Sequence, residues 1–220
     1  MEIERTADGS YTVYLPEMDE HYHSIKGALT ESEYIFIEQA FNKCDKKNVT
    51  ILEIGFGTGL NAVLTYMEAN KNMRRTVYDS IEKYPLSIEF VEKLNYISVI
   101  GKENENIFND IHKCQWDIDI KLSEYFTLHK IKGDFTNNIF NRKYDIVYFD
   151  AFAPEKQPEM WTQQLFDEMF NILNPGGILT TYCAKGIVRR MLQASGFKVE
   201  RLPGPPNGKR EILRATKTNG

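Results

Sequence analysis

Short apolar runs recur along this chain, separated by stretches whose apolar residues return every three or four positions. Val49–Ile54, Thr76–Glu82, Phe126–Ile131, Tyr144–Asp150 and Gly177–Tyr182 read as buried strands, and Leu60–Asn70, Leu86–Leu94, Trp161–Leu173 and Lys185–Ser195 as helices packed on them. Alternation of this kind predicts an α/β fold with a doubly wound, mostly parallel sheet and right-handed crossovers. Two more strand candidates, Phe197–Leu202 and Glu211–Ala215, are joined only by Pro203-Gly204-Pro205-Pro206-Asn207-Gly208. A connector so short and turn-rich joins antiparallel neighbours, so the sheet is expected to end in an antiparallel strand. Ahead of all this, Glu2–Leu15 alternates around Asp8-Gly9 as a β-hairpin, and Thr30 with Glu33 has the form of a capping box opening a helix. The expected organisation is a hairpin-and-helix extension over 1–45 and one domain over 46–220, with Ile97–Glu124 too weakly periodic to assign.

Composition narrows the class. A chain of 220 residues with 42% hydrophobic positions suffices for one good core. The apolar stretches are strand-sized rather than membrane-sized, and Met1-Glu2-Ile3-Glu4-Arg5 lacks the apolar centre of a signal sequence. A soluble, cytoplasmic protein with no membrane partner is expected. Cys44, Cys114 and Cys183 are widely spaced and odd in number, which suggests neither a disulfide framework nor a zinc knuckle. The net charge of −4 hides an asymmetry: from Lys185 onward four Lys and five Arg face two Glu, a net +7 that leaves −11 on the first 184 residues. A phosphate-facing edge on an acidic body has this form, and so does a solvated basic surface with no partner.

The chemistry begins where the first strand of the domain meets Gly55-Phe56-Gly57-Thr58-Gly59. Glycines after a buried strand let the backbone turn tightly against a ligand, and the helix that follows offers its free N–H groups. Two registers compete. From Gly57 the pattern Gly57-x-Gly59-x-x-Ala62 fits a dinucleotide fingerprint, with Glu82 about 20 residues on. From Glu53 the pattern Glu53-x-Gly55-x-Gly57-x-Gly59 resembles the first motif of Rossmann-like methyltransferases, and it accounts for Gly55, which the other register leaves unexplained. In either, Glu82 ends the second strand where a ribose diol would lie. Asp134, beside Phe135, offers an acceptor for an adenine amino group, or else caps a helix. Asp150 leaves an apolar strand among Tyr148, Phe149 and Phe152. There a desolvated carboxylate can orient an amine and stabilise the positive charge that grows on it during methylation; a turn acid holding the next loop is the alternative. Trp161 either walls the acceptor pocket or anchors its helix. His21 and His23 lie on one face of an extended segment, and without a third ligand they read as polar pocket lining rather than as a metal site.

Assembled, these residues resemble the methyltransferase domain of the tRNA 5-methylaminomethyl-2-thiouridine biosynthesis proteins. The resemblance runs through Asp19–Ser24, Gly27-Ala28, Glu31-Ser32, Gly55–Asn61, Glu82–Pro85 and Gly133-Asp134. It continues through Asp150–Pro154, Pro158–Trp161, Pro175–Gly177, Val188–Arg190 and Gly208–Glu211. It implies a Rossmann-like class I fold and transfer of a methyl group from S-adenosylmethionine to the amine of 5-aminomethyl-(2-thio)uridine at the wobble position of tRNA. The implied cofactor set is Glu53, Gly55, Phe56, Gly57, Thr58, Gly59, Asn61, Glu82, Lys83, Asp134 and Phe135, and Asp150 is the implied catalytic residue. The implied substrate set joins His21, His23, Glu31, Phe152, Pro154 and Trp161 to the basic residues Lys185, Arg189, Arg190, Lys209 and Arg210, which would meet the anticodon stem-loop. Neither metal nor flavin nor obligate protein partner is expected, and the chain reads as the stand-alone type. Two other readings stay open: a class I methyltransferase or aminopropyltransferase for a small amine, which needs no basic terminus, and a non-catalytic RNA adaptor, which needs no Asp150.

Overall fold

Successive residues of a strand point to opposite faces, and here both faces are apolar, so the sheet must be covered on both sides. In the computed structural model, which describes every residue except Asn207, Lys209, Asn219 and Gly220, the large sheet comprises β4 (Asn48–Ile54), β5 (Arg75–Glu82), β6 (Asp119–Lys121), β7 (Phe126–Lys132), β8 (Tyr144–Phe149), β9 (Leu173–Thr181), β10 (Lys198–Pro203) and β11 (Glu211–Thr216). A smaller antiparallel sheet precedes it, formed by β1 (Glu2–Arg5), β2 (Tyr11–Leu15) and β3 (Glu20–His21). On one face of the large sheet Ile51 joins Tyr78, Leu128, Ile146 and Tyr148 under α2 (Leu60–Lys71). On the other, Leu52 and Ile54 join Val147, Phe149 and Leu179 under α6 (Gln163–Ile172) and α7 (Gly186–Ala194). Each such buried Ile, Leu or Phe contributes roughly 1.5–3 kcal/mol, which is why the alternation of the strands dominates the fold.

The strand order is β10-β11-β9-β8-β4-β5-β7-β6. The five strands from β9 to β7 run parallel, β11 is antiparallel to both β9 and β10, and β6 closes the far edge antiparallel to β7. The expected doubly wound sheet with its antiparallel terminal pair is therefore present. From β4 the chain winds outward to β5 and β7, and from β8 it winds the other way to β9. The carboxyl ends of β4 and β8 thus flank the crevice where open α/β sheets bind ligands.

Two expectations need correction, and one unassigned region gains elements. The helix α1 (Ala28–Ser32) starts after Gly27, and Thr30 lies inside it rather than at its cap. The Thr30 N–H and hydroxyl both donate to Asp8 Oδ2 at 2.9 Å, so a carboxylate from the hairpin turn displaces the local capping box. Past α1 the chain widens into a π-helical turn over Glu33–Glu38. The predicted helix over Leu86–Leu94 shrinks to α3 (Ile88–Val91), capped by Ser87. The unassigned 97–124 region holds α4 (Tyr96–Ile100), α5 (Glu105–Lys113) and β6, and α5 buries Ile107, Phe108 and Ile111. No helix among the described residues is long and apolar enough to cross a membrane.

Candidate active site

The turn after β4 takes the left-handed conformation at Gly55, Gly57 and Gly59. At Gly57, with φ +50°, an added Cβ would lie 3.0 Å from the Tyr22 ring; at Gly59, φ +71°, it would meet the His112 ring at 2.6 Å. Only glycine fits both positions. Gly59 is also the residue from which α2 springs, so the first amides of that helix face the crevice. Thr58 is held from outside the turn: His23 Nε2 and Thr58 Oγ1 are 2.9 Å apart, and the Tyr96 hydroxyl donates to the same oxygen at 3.1 Å. With Tyr96 donating, the Thr58 hydrogen is free for the imidazole. Burial lowers the His23 pKa to about 4, so the ring is neutral and able to accept.

A cavity of about 710 Å³ opens over this turn. One end reaches Glu82, Lys83, Asp134 and Phe135; the other reaches Asp150, Phe152 and Gln157, under a roof that includes Tyr22 and His23. The Glu82 carboxylate accepts from the Gly57 N–H at 3.0 Å and from the Tyr84 N–H at 2.8 Å, which fixes it at the end of β5 beside the glycine turn. Asp134 Oδ1 accepts from the Thr136 N–H at 3.0 Å, the cap of a 3₁₀ turn, while Oδ2 meets Lys83 Nζ at 2.8 Å. Hydrogen bonds from Lys83 and Thr136 hold its carboxyl below the usual range. Asp134 therefore does what its structural alternative required and still borders the cavity.

At the other end Asp150 follows a strand whose six residues are all buried. Its Oδ2 accepts from Asn61 Nδ2 at 2.9 Å, which links α2 to the residue after β8. Tyr22 and Phe152 meet edge to face with ring centroids 5.1 Å apart, and Lys156 Nζ lies 3.3 Å from Asp19 Oδ2. Through these contacts the N-terminal segment and the loop after Asp150 close over the same space. A carboxylate held there, on the cavity that Phe152 and the glycine turn also line, can accept an N–H and stabilise charge that develops on nitrogen.

Other predicted site residues lie elsewhere. Glu53 is fully buried behind the turn, where it accepts from the Ser80 hydroxyl at 2.5 Å; it does not border the cavity. Burial, with the Asp150 charge adding to it, raises its pKa to about 8. His21 sits at the edge of the small sheet, 3.0 Å from Glu4 and packed on Tyr14. Glu31 is buried and accepts from the Ser24 N–H at 2.8 Å, and Pro154 lies in the loop beyond Phe152 without bordering the cavity. Trp161 is 5% exposed and belongs to the core under α6, so of its two readings the anchor is the one the packing favours. Among the described residues, Asp79, Asp119 and His129 alone are clustered as a metal would need, and Arg142 already bridges the two aspartates at 2.5 and 2.6 Å.

The basic terminus divides. The register of β11 on β9, with Leu213 beside Thr181, brings the β10–β11 connection to the edge that carries Asp150, and α7 starts from the same edge. Arg190 and Arg210 are exposed there and Arg189 is half-buried, while Lys185 is paired with Glu155. Lys209 lies outside the described residues. Arg214 pairs with Glu200, and Lys217 caps the Phe170 and Leu173 carbonyls at the far end of the sheet. The charge excess is thus not one continuous face. Tyr22 and Gln157 border the cavity although the sequence pattern gave them no role, and Tyr182 stands behind the loop after Asp150. Tyr22 could have been found from its place between the two histidines, whereas no neighbouring residue marks Tyr182.

Residues 98–218 match a family model described as S-adenosyl-L-methionine-dependent methyltransferase. The chain is 32% identical over 213 residues to the tRNA 5-methylaminomethyl-2-thiouridine biosynthesis bifunctional protein MnmC of Pseudomonas fluorescens, covering 89% of this chain and 32% of that protein. To the protein of the same name from Leptospira interrogans it is 32% identical over 212 residues, covering 90% and 32%. The chain spans about a third of the length of these relatives. The crystal structure of MnmC2 from Aquifex aeolicus superposes with a TM-score of 0.80 at 26% identity, covering all of this chain and 70% of that one. Spermidine synthase from Thermotoga maritima, 14% identical with a TM-score of 0.59 over 99% of this chain and 72% of its own, shares the fold.

Proposed function

The chain belongs to the S-adenosyl-L-methionine-dependent methyltransferase family matched by residues 98–218, and on that premise we propose that it methylates the amine of 5-aminomethyl-(2-thio)uridine at the tRNA wobble position, giving 5-methylaminomethyl-(2-thio)uridine. The observation that carries the reading is one continuous cavity from the glycine turn to Asp150, roofed by Tyr22 of the N-terminal segment. Likeness to MnmC over 89% of the chain supports the choice of substrate. In this reading residues 1–45 form the extension and 46–220 the transferase domain.

The cradle at Gly57 and Gly59, where a Cβ has no room, and the fixed Glu82 carboxylate suit a nucleoside cofactor. Glu82 would take its ribose hydroxyls, Asp134 and Phe135 its adenine, and the amides at the start of α2 its carboxylate. When bound, S-adenosylmethionine supplies a methyl group on a sulfonium. Asp150, steadied by Asn61, would accept an N–H of the uridine amine, aim its lone pair, and stabilise the charge that nitrogen acquires. The rings of Tyr22 and Phe152, which meet edge to face beside the cavity, would limit water around that carboxylate. Arg189, Arg190, Lys209 and Arg210 would meet phosphates of the anticodon stem-loop.

Nucleoside mass analysis of tRNA incubated with the protein and methyl-labelled S-adenosylmethionine tests the reading. Label in 5-methylaminomethyl-2-thiouridine is the expected result. Label confined to a free small amine would move the protein to the small-molecule transferases.

A further inference from the structure

The loop after Asp150 is gripped from the core. Tyr182, the residue after β9, donates its hydroxyl to the Ala151 carbonyl at 2.8 Å, and Trp161 donates its indole N–H to the Phe152 carbonyl at 2.7 Å. Trp161 packs on Phe149, Phe166 and Tyr182. Burial, and after it the charge of Asp150, push the Tyr182 phenol up, so it stays protonated over the working range of pH. Two consecutive peptide carbonyls thus point at donors, one on the buried Trp161 and one on the half-buried Tyr182, just where Asp150 receives Asn61 from the other side. A ring without a polar atom would fill either place. A polar atom buried without a partner costs about 1–3 kcal/mol, so donors at both positions are tied to the carbonyls they meet.

We propose that Tyr182 and Trp161 are positioning residues for methyl transfer: they turn the Ala151 and Phe152 carbonyls away from the reacting amine and leave the Asp150 carboxylate as its acceptor on this loop. The proposal rests on the reading of Asp150 as the partner of the amine. An aminomethyl nitrogen is tetrahedral and its lone pair is localised. As that lone pair forms the bond to carbon, the sulfur–carbon bond breaks, the sulfonium becomes a neutral thioether, and the nitrogen takes the positive charge, later giving a proton to water. One anionic acceptor suits a nitrogen that gains this charge.

The test is Tyr182→Phe in the full chain, which keeps the ring and removes the donor. We expect affinity for S-adenosylhomocysteine by calorimetry and KM for tRNA bearing 5-aminomethyl-2-thiouridine to stay within about twofold, and kcat to fall by roughly 10- to 100-fold, the scale of a misplaced reacting group. An unchanged kcat overturns the proposal. If Tyr182→Phe fails to fold, Trp161→Phe carries the same comparison. Wild-type turnover judges the reading of function separately. Should the wild type leave this RNA unmethylated, that reading falls, and amide hydrogen exchange over 150–153 in the S-adenosylhomocysteine complex decides the clamp. Exchange about tenfold faster in Tyr182→Phe supports it, and equal exchange overturns it.

Discussion

At the glycine-turn end of the cavity the chain presents mainly its own backbone: left-handed glycines, the first amides of α2, and a carboxylate fixed by the N–H groups of Gly57 and Tyr84. At the Asp150 end the work falls to side chains gathered from α2, β9, the turn before α6 and the N-terminal segment. The first construction comes from two neighbouring strand ends and depends on the absence of side chains. The second depends on side chains brought together by packing. Mutations should separate the ends: changes at the turn abolish binding, and changes at the Asp150 end spare binding and slow transfer.

The largest effect is expected at Gly57. In Gly57→Val the new Cβ falls against the Tyr22 ring, and a β-branched residue is forced to a φ of +50°. Affinity for S-adenosylhomocysteine should drop by about 10³-fold or more, with a loss of only a few degrees in Tm. Tight binding by the folded variant would show that the turn is not the cradle.

His23 tests the joint between the two ends, because it belongs to the N-terminal segment and holds the turn through Thr58. Its folded pKa of about 4 lies below the ordinary value of 6.5. The neutral ring's contribution is therefore complete above pH 6.5 and is lost as pH falls through about 4. The difference corresponds to about 3 kcal/mol of unfolding free energy. Urea unfolding at a series of pH values should reveal that loss in the wild type. His23→Gln should flatten it, and an equally steep acid loss in the variant would assign it to other groups.

Features written in consecutive residues were legible in advance: the strand alternation, the glycine turn, Glu82 after the second strand and the antiparallel terminal pair. Features that arise from meetings across the chain were not. Thr30 reads as a cap until Asp8 arrives from the hairpin, and nothing near Tyr182 announces the Ala151 carbonyl. Glu53 belongs to the glycine pattern, yet strand alternation turns it into the core against Ser80. The basic count of the last residues says nothing of which charges pair, and Lys217 and Arg214 are already engaged. The five-residue α4 escapes because its periodicity spans too few residues to stand out.

Asp150→Asn comes next in size. The amide has much the same shape but no charge, and its oxygen can still accept from Asn61. Binding of S-adenosylhomocysteine should stay within about twofold while kcat falls by roughly 10²-fold, about 2.7 kcal/mol of transition-state stabilisation. Full turnover in this variant, measured at saturating tRNA, would reduce Asp150 to a turn acid and remove the contrast between the ends.

The smallest effect concerns the surface beyond both ends. Arg190 and Arg210 are exposed on the edge that carries Asp150, whereas Lys185, Arg201 and Arg214 are matched with acids. A cation already paired within the protein has less to gain from a phosphate, so tRNA docking should concentrate on Arg190 and Arg210, which have no acidic partner among the described residues. Removing one cation from a phosphate should lower the slope of log affinity against log salt by about 0.7 to 0.9. Arg210→Glu is therefore expected to raise the KM for tRNA by roughly three- to tenfold and to flatten that slope by about one unit, with affinity for S-adenosylhomocysteine unchanged. Lys198→Glu, at the opposite end of β10, serves as the control. If both variants weakened tRNA binding equally, total charge rather than this edge would govern docking; if neither did, the N-terminal sheet would become the docking face to test.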